Sequence, residues 1–189
     1  MVSYLDVLTI LLIFFVAVAA KSLELAPRLA AASGNSRAEA PSAKEPLREA
    51  QRKLVQLGLD ARIEPRGLVI TLPQAVFFAP GEDHINSAAL PRISQIAGVL
   101  LSIPNKISLA GHADQVPIHN QRFRNNWELA AARSMQLLDL FTAHYGIAES
   151  RFSIVSYGSV DPKSPNETPD GRAMNRRVEI VVLEEVPAT

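Results

Sequence analysis

The N-terminal stretch constrains the fold of this chain more than any other feature. Residues 1–20 contain a single charge, Asp6, and the segment from Val7 to Ala20 carries none. Twenty helical residues span about 30 Å, which is the thickness of the hydrocarbon core of a bilayer. The sequence therefore predicts a single transmembrane helix over residues 1–20.

Two other interpretations of this stretch fit less well. Ala17-Val18-Ala19 has the A-x-A pattern of a signal-peptide cleavage site, but signal peptides begin with basic residues, and here the first basic residue is Lys21. A helix this apolar inside a soluble domain would need a larger core than a chain of 189 residues can build.

Asp6 allows two interpretations. In the first, its carboxylate lies in the headgroup region and interacts favourably with the N-terminal end of the helix dipole. In the second, it lies within the bilayer, where an ionised carboxylate is costly and can load and release a proton. The depth of Asp6 decides between them, and the sequence leaves both open.

Composition excludes several classes of function. The chain has 19 Lys and Arg residues against 19 Asp and Glu residues, so it lacks the basic excess typical of nucleic-acid-binding proteins. It has no cysteine, which excludes disulfides, thiolate metal sites and cysteine nucleophiles. His112, Asp114 and His119 lack a fourth zinc ligand. The common hydrolase, P-loop and dinucleotide-binding motifs are also absent, so we expect no enzyme, no metal and no cofactor.

The pattern changes twice behind the apolar stretch. Residues 21–45 are rich in Ala, Ser, Pro and charged residues, which is typical of a tether. A short amphipathic helix follows, with apolar residues at helical spacing at Leu47, Ala50, Leu54 and Leu57. We group this helix with the linker, 21–58, and expect the folded domain over 59–186.

Segments of helical and strand periodicity alternate within 59–186. Residues 61–64 and 68–72 flank a Pro-Arg-Gly turn and predict a β-hairpin. Helices are predicted at about 87–101 and 127–145, strands at 106–110, 152–157 and 178–183, and a loop at 158–174. This order predicts an α+β fold in which helices pack on a mixed β-sheet.

One group of polar residues could form a binding site. Asp114 follows a predicted strand and Arg133 lies in the next predicted helix, so the two could meet at one edge of the sheet. A small polar pocket would be completed by Asn126, Asn175, Arg176 and Arg177. A carboxylate that receives an ammonium group and a guanidinium that holds a carboxylate together suit the zwitterionic head group of an amino acid. The alternative is that Asp114 and Arg133 pair with each other and fix the loop.

Five blocks of sequence between residues 66 and 183 carry a resemblance to a known family. They are RGLVITLPQAVFFAPG, ISLAGHADQVPI, NNWELAAARS, RFSIVSYGSVDP and PDGRAMNRRVEIVV. This region resembles the OmpA-like peptidoglycan-binding domain, and more closely the version found in flagellar motor stator B subunits, the MotB and PomB family. The N-terminal VSYLDVLTILLIFFVAVA is similar to the transmembrane helix of that family.

The resemblance implies a role for each candidate residue. Asp114 and Arg133 would bind the diaminopimelate residue of the peptidoglycan stem peptide, and the site would be lined by Asn126, Asn175 and Arg176. Asp6 would be the ion-carrying carboxylate.

The resemblance also implies partners and a location. The protein would be a homodimer that pairs with a stator A subunit (MotA or PomA) and couples ion flow to flagellar rotation while anchored to peptidoglycan. It would cross the bacterial inner membrane once, with a cytoplasmic N-terminus and a periplasmic C-terminal domain. Two alternatives stay open: a passive OmpA-family envelope anchor, and an energy-coupling protein related to TolR and ExbD, whose periplasmic domains lack these motifs.

The sequence departs from the family pattern in three respects. Ala113 stands where the family usually has Thr, and Ala130 where it often has Ser, so two hydroxyls are missing near the predicted site and we expect lower or altered wall affinity. The basic segment that usually precedes the transmembrane helix is almost absent, and the tether is short.

Overall fold

A computed structural model describes residue 9 and residues 11–15 and 44–184 of the chain. Residues 9 and 11–15 are helical with exposed side chains. Within these described ranges, no helix combines the length and the apolar character needed to cross a membrane. Most of the predicted transmembrane span 1–20, including Asp6, lies outside the described residues, as does nearly all of the predicted tether.

The chain divides into two units, Met1–Ser42 and Ala43–Thr189. The second unit contains all of the strands and longer helices that the structure describes. In chain order these are α1 (Lys44–Gln56), β1 (Asp60–Glu64), β2 (Gly67–Pro73), α2 (Gln74–Phe77), α3 (Leu90–Leu101), β3 (Ile107–His112), α4 (Asn126–Asp139), β4 (Phe152–Gly158), α5 (Pro169–Asn175) and β5 (Arg177–Leu183). A π-helical segment, Leu140–His144, continues α4.

The five strands form one sheet in the order β1-β2-β5-β3-β4. All neighbouring strands are antiparallel except β3 and β4, which are parallel. Alternate residues of a strand point to the same face, and one face of this sheet packs against the helices. The shared core includes Leu68, Ile70, Leu109 and Ile180 from the sheet and Leu54, Ile96 and Leu137 from the helices. The prediction of an α+β fold with a mixed sheet packed by helices is confirmed.

Helix α1 is part of this core. Leu47, Ala50 and Leu54 are buried in the core cluster, and the helix contacts β1 and α3. Their spacing of three and four residues places them on one side of the helix. This helix was predicted to belong to the linker, 21–58, whereas in the structure it lies in the C-terminal unit.

The close approach of α4 to β3 positions the candidate site. A Cβ atom added at Gly111 in β3 would overlap the backbone carbonyl oxygen of Ala130 in α4. The helix therefore lies nearer to this strand than any side chain would allow. This contact brings Arg133, one turn further along α4, toward Asp114, which follows β3.

Candidate functional site

A pocket of about 330 Å³ lies at the edge of the sheet where β2 and β3 end and β5 begins. Its polar lining consists of Gln74, Asp114, Asn126, Arg133, Arg172 and Arg176. Its apolar lining includes Ala113, Val116, Pro117, Ile118 and Leu129. The structure thus brings together Asp114, Asn126, Arg133 and Arg176 from the predicted site. Among the described residues, no group of three or more His, Asp or Glu side chains could hold a metal ion.

Arg133 is the buried cation of the pocket, with only 2% of its surface exposed. Its Nε donates a hydrogen bond to the backbone carbonyl of Glu82 at 2.9 Å, and its guanidinium lies over the Phe78 ring. Its Nη2 atom is buried without a hydrogen-bond partner. Burial, reinforced by the positive charge of Arg176, lowers the pKa of Arg133 to about 10, so the side chain stays charged at neutral pH.

Asp114 pairs with Arg176 and not with Arg133. Its Oδ2 accepts a hydrogen bond from Arg176 Nη1 at 2.6 Å, and its Oδ1 accepts one from the backbone N–H of Val116 at 3.0 Å. Asn126 braces the same loop, because its Nδ2 donates to the carbonyls of Asp114 and Val116 at 3.0 Å each. Asp114 is therefore held by Arg176, which was predicted to line the site but not to pair with Asp114.

Asn175 lies outside the pocket lining and holds a loop. Its Oδ1 accepts hydrogen bonds from the backbone N–H groups of Lys163 and Ser164, at 2.8 and 2.9 Å. Its Nδ2 donates to the carbonyl of Ser164 and to Asn166 Oδ1, at 2.8 and 2.9 Å. Its side chain thus fixes the loop that precedes α5, and α5 in turn leads to Arg176.

Two lining residues were missed in the sequence analysis. The backbone N–H of Gln74 donates to the carbonyl of Arg176 at 2.9 Å, and its buried side chain lines the pocket. Arg172 donates through Nη1 to the carbonyls of Asn166 and Glu167, at 2.8 and 3.1 Å. Gln74 directly follows β2, and β2 runs in the same direction as β3, so both strands end at the edge where the pocket lies. With the strand order known, this position would have predicted Gln74 as a lining residue.

An ion pair between buried Asp83 and half-exposed Arg122 lies outside the pocket, next to the residue that holds Arg133. Asp83 accepts two hydrogen bonds from the Arg122 guanidinium, at 2.7 and 2.9 Å, although only 4% of its own surface is exposed. Asp83 directly follows Glu82, whose carbonyl holds Arg133. This pair was not predicted from the sequence, because its members are 39 residues apart, in a turn and a loop.

A second polar cluster lies on the sheet away from the pocket. Arg177 is buried there and donates to Glu179 at 2.8 Å, so it does not complete the pocket as predicted. Burial raises the pKa of Glu179, but hydrogen bonds and charge from Arg177 and Arg66 outweigh it and bring the pKa below its usual value. His112 stacks on Tyr157, and burial, together with the charge of Arg177, lowers the pKa of His112 to about 4.

The fold and the charged pocket define a domain of the OmpA family, and that family matches residues 77–176. Because this match covers more than half of the chain, the chain belongs to the OmpA family. Its similarity to MotB is confirmed as well: it is 32% identical over 132 residues to motility protein B of Bacillus subtilis, covering 69% of this chain and 51% of that protein. The chain thus spans about half the length of that relative.

Three further comparisons agree with this assignment. The chain is 35% identical over 91 residues to the peptidoglycan-binding protein ArfA of Mycobacterium tuberculosis, covering 48% of this chain and 26% of ArfA. The periplasmic domain of Helicobacter pylori MotB superposes with a TM-score of 0.60 at 29% identity, covering 65% of this chain and 80% of that one. The cell wall anchor of the T6SS from Pseudomonas aeruginosa gives 0.65 at 28% identity, covering 78% and 100%. The names of these relatives denote motility, peptidoglycan-binding and cell wall anchor proteins.

Proposed function

We propose that the chain is a stator B-type subunit whose periplasmic domain anchors a flagellar motor stator to peptidoglycan through this pocket. The observation that carries the proposal is the buried Arg133 guanidinium, whose Nη2 lacks a partner, beside Asp114. A ligand carboxylate on Arg133 and a ligand ammonium on Asp114 would match the zwitterionic end of diaminopimelate. The names of ArfA and of the T6SS anchor support a cell-wall ligand.

Electrostatics favours a ligand at Arg133 over a purely structural role. A buried charge without a directly bonded anion is costly. Among the described residues, the guanidinium contacts a carbonyl and an aromatic ring, while Asp83 and Asp114 act on it through their charge without a hydrogen bond. A hydrogen bond to a charged group contributes about 1.5–3 kcal/mol. A bidentate ligand carboxylate would therefore supply much of the binding free energy.

Sedimentation of the full chain with purified peptidoglycan tests this proposal. We expect Asp114→Asn and Arg133→Gln each to weaken binding by at least about ten-fold, since each removes one charged contact. Arg62→Gln is the matched control, because Arg62 is exposed on β1 and pairs only with Asp60, at 2.9 Å. Unchanged sedimentation of both pocket variants, with a native circular dichroism spectrum, would refute the proposed wall site.

The membrane half of the proposal rests on the sequence. Residues 1–20 would cross the inner membrane once, with the N-terminus cytoplasmic and the OmpA-like domain periplasmic, and the protein would dimerise and pair with a stator A subunit. Asp6 would carry the ion. One charge moving down about 100 mV releases about 2.3 kcal/mol, so rotation would need repeated ion passages and an immobile anchor. The apolar run after Asp6 and the similarity to motility protein B support this assignment.

Motility of the native host carrying Asp6→Asn or Asp6→Glu tests the ion-carrying role. We expect Asp6→Asn to abolish swimming while membrane level, stator A co-purification and wall binding persist, and Asp6→Glu to retain some torque. A silent Asp6→Asn would favour the second candidate, a passive wall anchor. The structural similarity to the T6SS cell wall anchor is the observation that favours that candidate.

A further inference from the structure

We propose that Arg176 sets the ligand specificity of the pocket by exchanging partners: it neutralises Asp114 in the free protein and takes a second ligand carboxylate when the ligand ammonium replaces it. This inference rests on the proposed function, since it assumes that Asp114 and Arg133 hold a diaminopimelate end. It goes beyond that function by requiring a second carboxylate on the ligand, in addition to the one in the zwitterionic end.

The charges that line the pocket are unbalanced. Three guanidinium groups line it, and among the described residues Asp114 is the only acidic side chain in the lining. A zwitterionic ligand brings one positive and one negative charge and leaves this excess unchanged. A ligand with one ammonium and two carboxylates reduces the excess and is favoured by charge complementarity.

The ligand ammonium and Arg176 compete for the same oxygen. Asp114 Oδ1 already accepts the backbone N–H of Val116, and Oδ2 accepts Arg176 Nη1 at 2.6 Å. The Asp114 side chain is only 8% exposed, which leaves little room for a second cation beside the first. Ammonium binding at Asp114 therefore displaces the guanidinium.

The backbone of Arg176 is fixed by hydrogen bonds, whereas its side chain has room to move. Its carbonyl accepts the backbone N–H of Gln74 at 2.9 Å, and its own N–H donates to the carbonyl of Arg172 at 3.0 Å. Its side chain is 35% exposed, so the guanidinium reaches the solvent-facing part of the pocket. A displaced arginine in a partly buried pocket needs a new anion, and a second ligand carboxylate meets that need.

A stem tripeptide that ends in diaminopimelate carries both carboxylates. One belongs to the zwitterionic end and would lie on Arg133, and the other is the C-terminus of the peptide. Amidation of the C-terminus removes the second carboxylate and leaves the zwitterionic end intact. We therefore expect the amidated tripeptide to bind about ten-fold more weakly than the free acid.

Isothermal titration of the full chain in detergent with the two tripeptides measures this preference. The wild type should prefer the free acid by about ten-fold, and Arg176→Gln should bind both peptides with nearly equal affinity. Arg176→Lys, which keeps the charge, should retain part of the preference, and Arg62→Gln all of it.

The outcomes separate this inference from the function on which it rests. Binding of both peptides with equal affinity by the wild type, or an unchanged preference in Arg176→Gln, overturns the exchange of partners and leaves wall binding in place. Failure of the wild type to bind either peptide contradicts the proposed function itself. If Arg176→Gln does not fold, the wild-type preference and the Arg176→Lys variant still decide the matter.

Discussion

The buried charges of the site depend on partners that lie outside it. Arg133 is held by the carbonyl of Glu82, and the next residue, Asp83, is held by two hydrogen bonds from Arg122. Asp83 is almost fully buried, whereas the Arg122 side chain is half exposed. Removal of the exposed partner would therefore leave a buried carboxylate without its main donor, which costs more than the loss of a surface ion pair.

Arg122→Met should lower the free energy of unfolding by about 2 kcal/mol. Arg62→Met, which breaks the exposed pair with Asp60, should change it by less than about 0.5 kcal/mol. Urea denaturation of the two variants measures the difference. Equal effects would show that the Asp83–Arg122 pair is worth no more than a surface contact.

The charged residues of the site could be predicted from the sequence, but the way in which they pair could not. Asp114 and Arg133 were predicted to meet because one follows a predicted strand and the other lies in the next predicted helix, and Arg176 was predicted to complete the same pocket. The predicted alternative paired Asp114 with Arg133, whereas the structure pairs Asp114 with Arg176. The choice depends on how α5 presents Arg176, and no periodicity in the sequence encodes that geometry.

Among the secondary-structure elements, α4 and β3 matter most for the pocket, because residues on or next to both of them line it. Gly111 lies directly beneath the carbonyl of Ala130, so a methyl group there must push helix and strand apart. Such a shift would move Arg133 relative to Asp114. Stability and ligand binding are therefore coupled at this glycine.

Gly111→Ala should lower the free energy of unfolding by about 2 kcal/mol and also weaken peptidoglycan binding. Gly98 in α3 offers a matched control, because an added Cβ there meets nothing within 4 Å. Gly98→Ala should stabilise the domain by about 0.5–1 kcal/mol through helix propensity and leave binding unchanged. Thermal unfolding and sedimentation with peptidoglycan measure both effects, and destabilisation of the same size in both variants would contradict the packing argument.

The longer elements could be predicted from the sequence, and the short ones could not. The hairpin β1–β2 and the helix α3 follow their periodicities, and Asn86 caps the 3₁₀ turn that leads into α3. Strand β3 runs two residues beyond the predicted end at Ala110, through Gly111 and His112. Helix α5 falls in the predicted loop 158–174 and was not predicted. Its seven residues are too few to show a helical period, and only the capping residue Thr168 marks its start.

The stability of the whole domain should depend on pH through His112. The ring is fully buried, and in the structure neither of its nitrogens has a hydrogen-bond partner. Asp161, Glu179 and Arg177 are the charged groups that act on it. Burial keeps the imidazole neutral in the folded state down to a pKa of about 4, whereas in the unfolded chain it binds a proton near pH 6.5.

The unfolded state therefore binds more protons between pH 6.5 and pH 4, and the free energy of unfolding should fall by up to about 3 kcal/mol across that window. Glu179 adds a further loss below about pH 4.5, because the unfolded carboxyl takes up a proton there while the folded one, with its lowered pKa, stays ionised. Urea denaturation at several pH values measures the fall. His112→Gln should reduce it, His144→Gln at an exposed position should not, and equal slopes in both variants would rule out His112 as its source.

Helix α1 also connects the chain before Lys44 to the sheet. It ends only three residues before β1, and β1 begins opposite Thr71, near the end of β2 that leads to the pocket. The chain therefore passes from the C-terminal end of α1 into the sheet at the edge where the pocket lies. A pull on the chain before Lys44, with the pocket held in place, would first load the packing of α1 against β1 and α3, and would reach the strands only through that packing and the turn after Gln56.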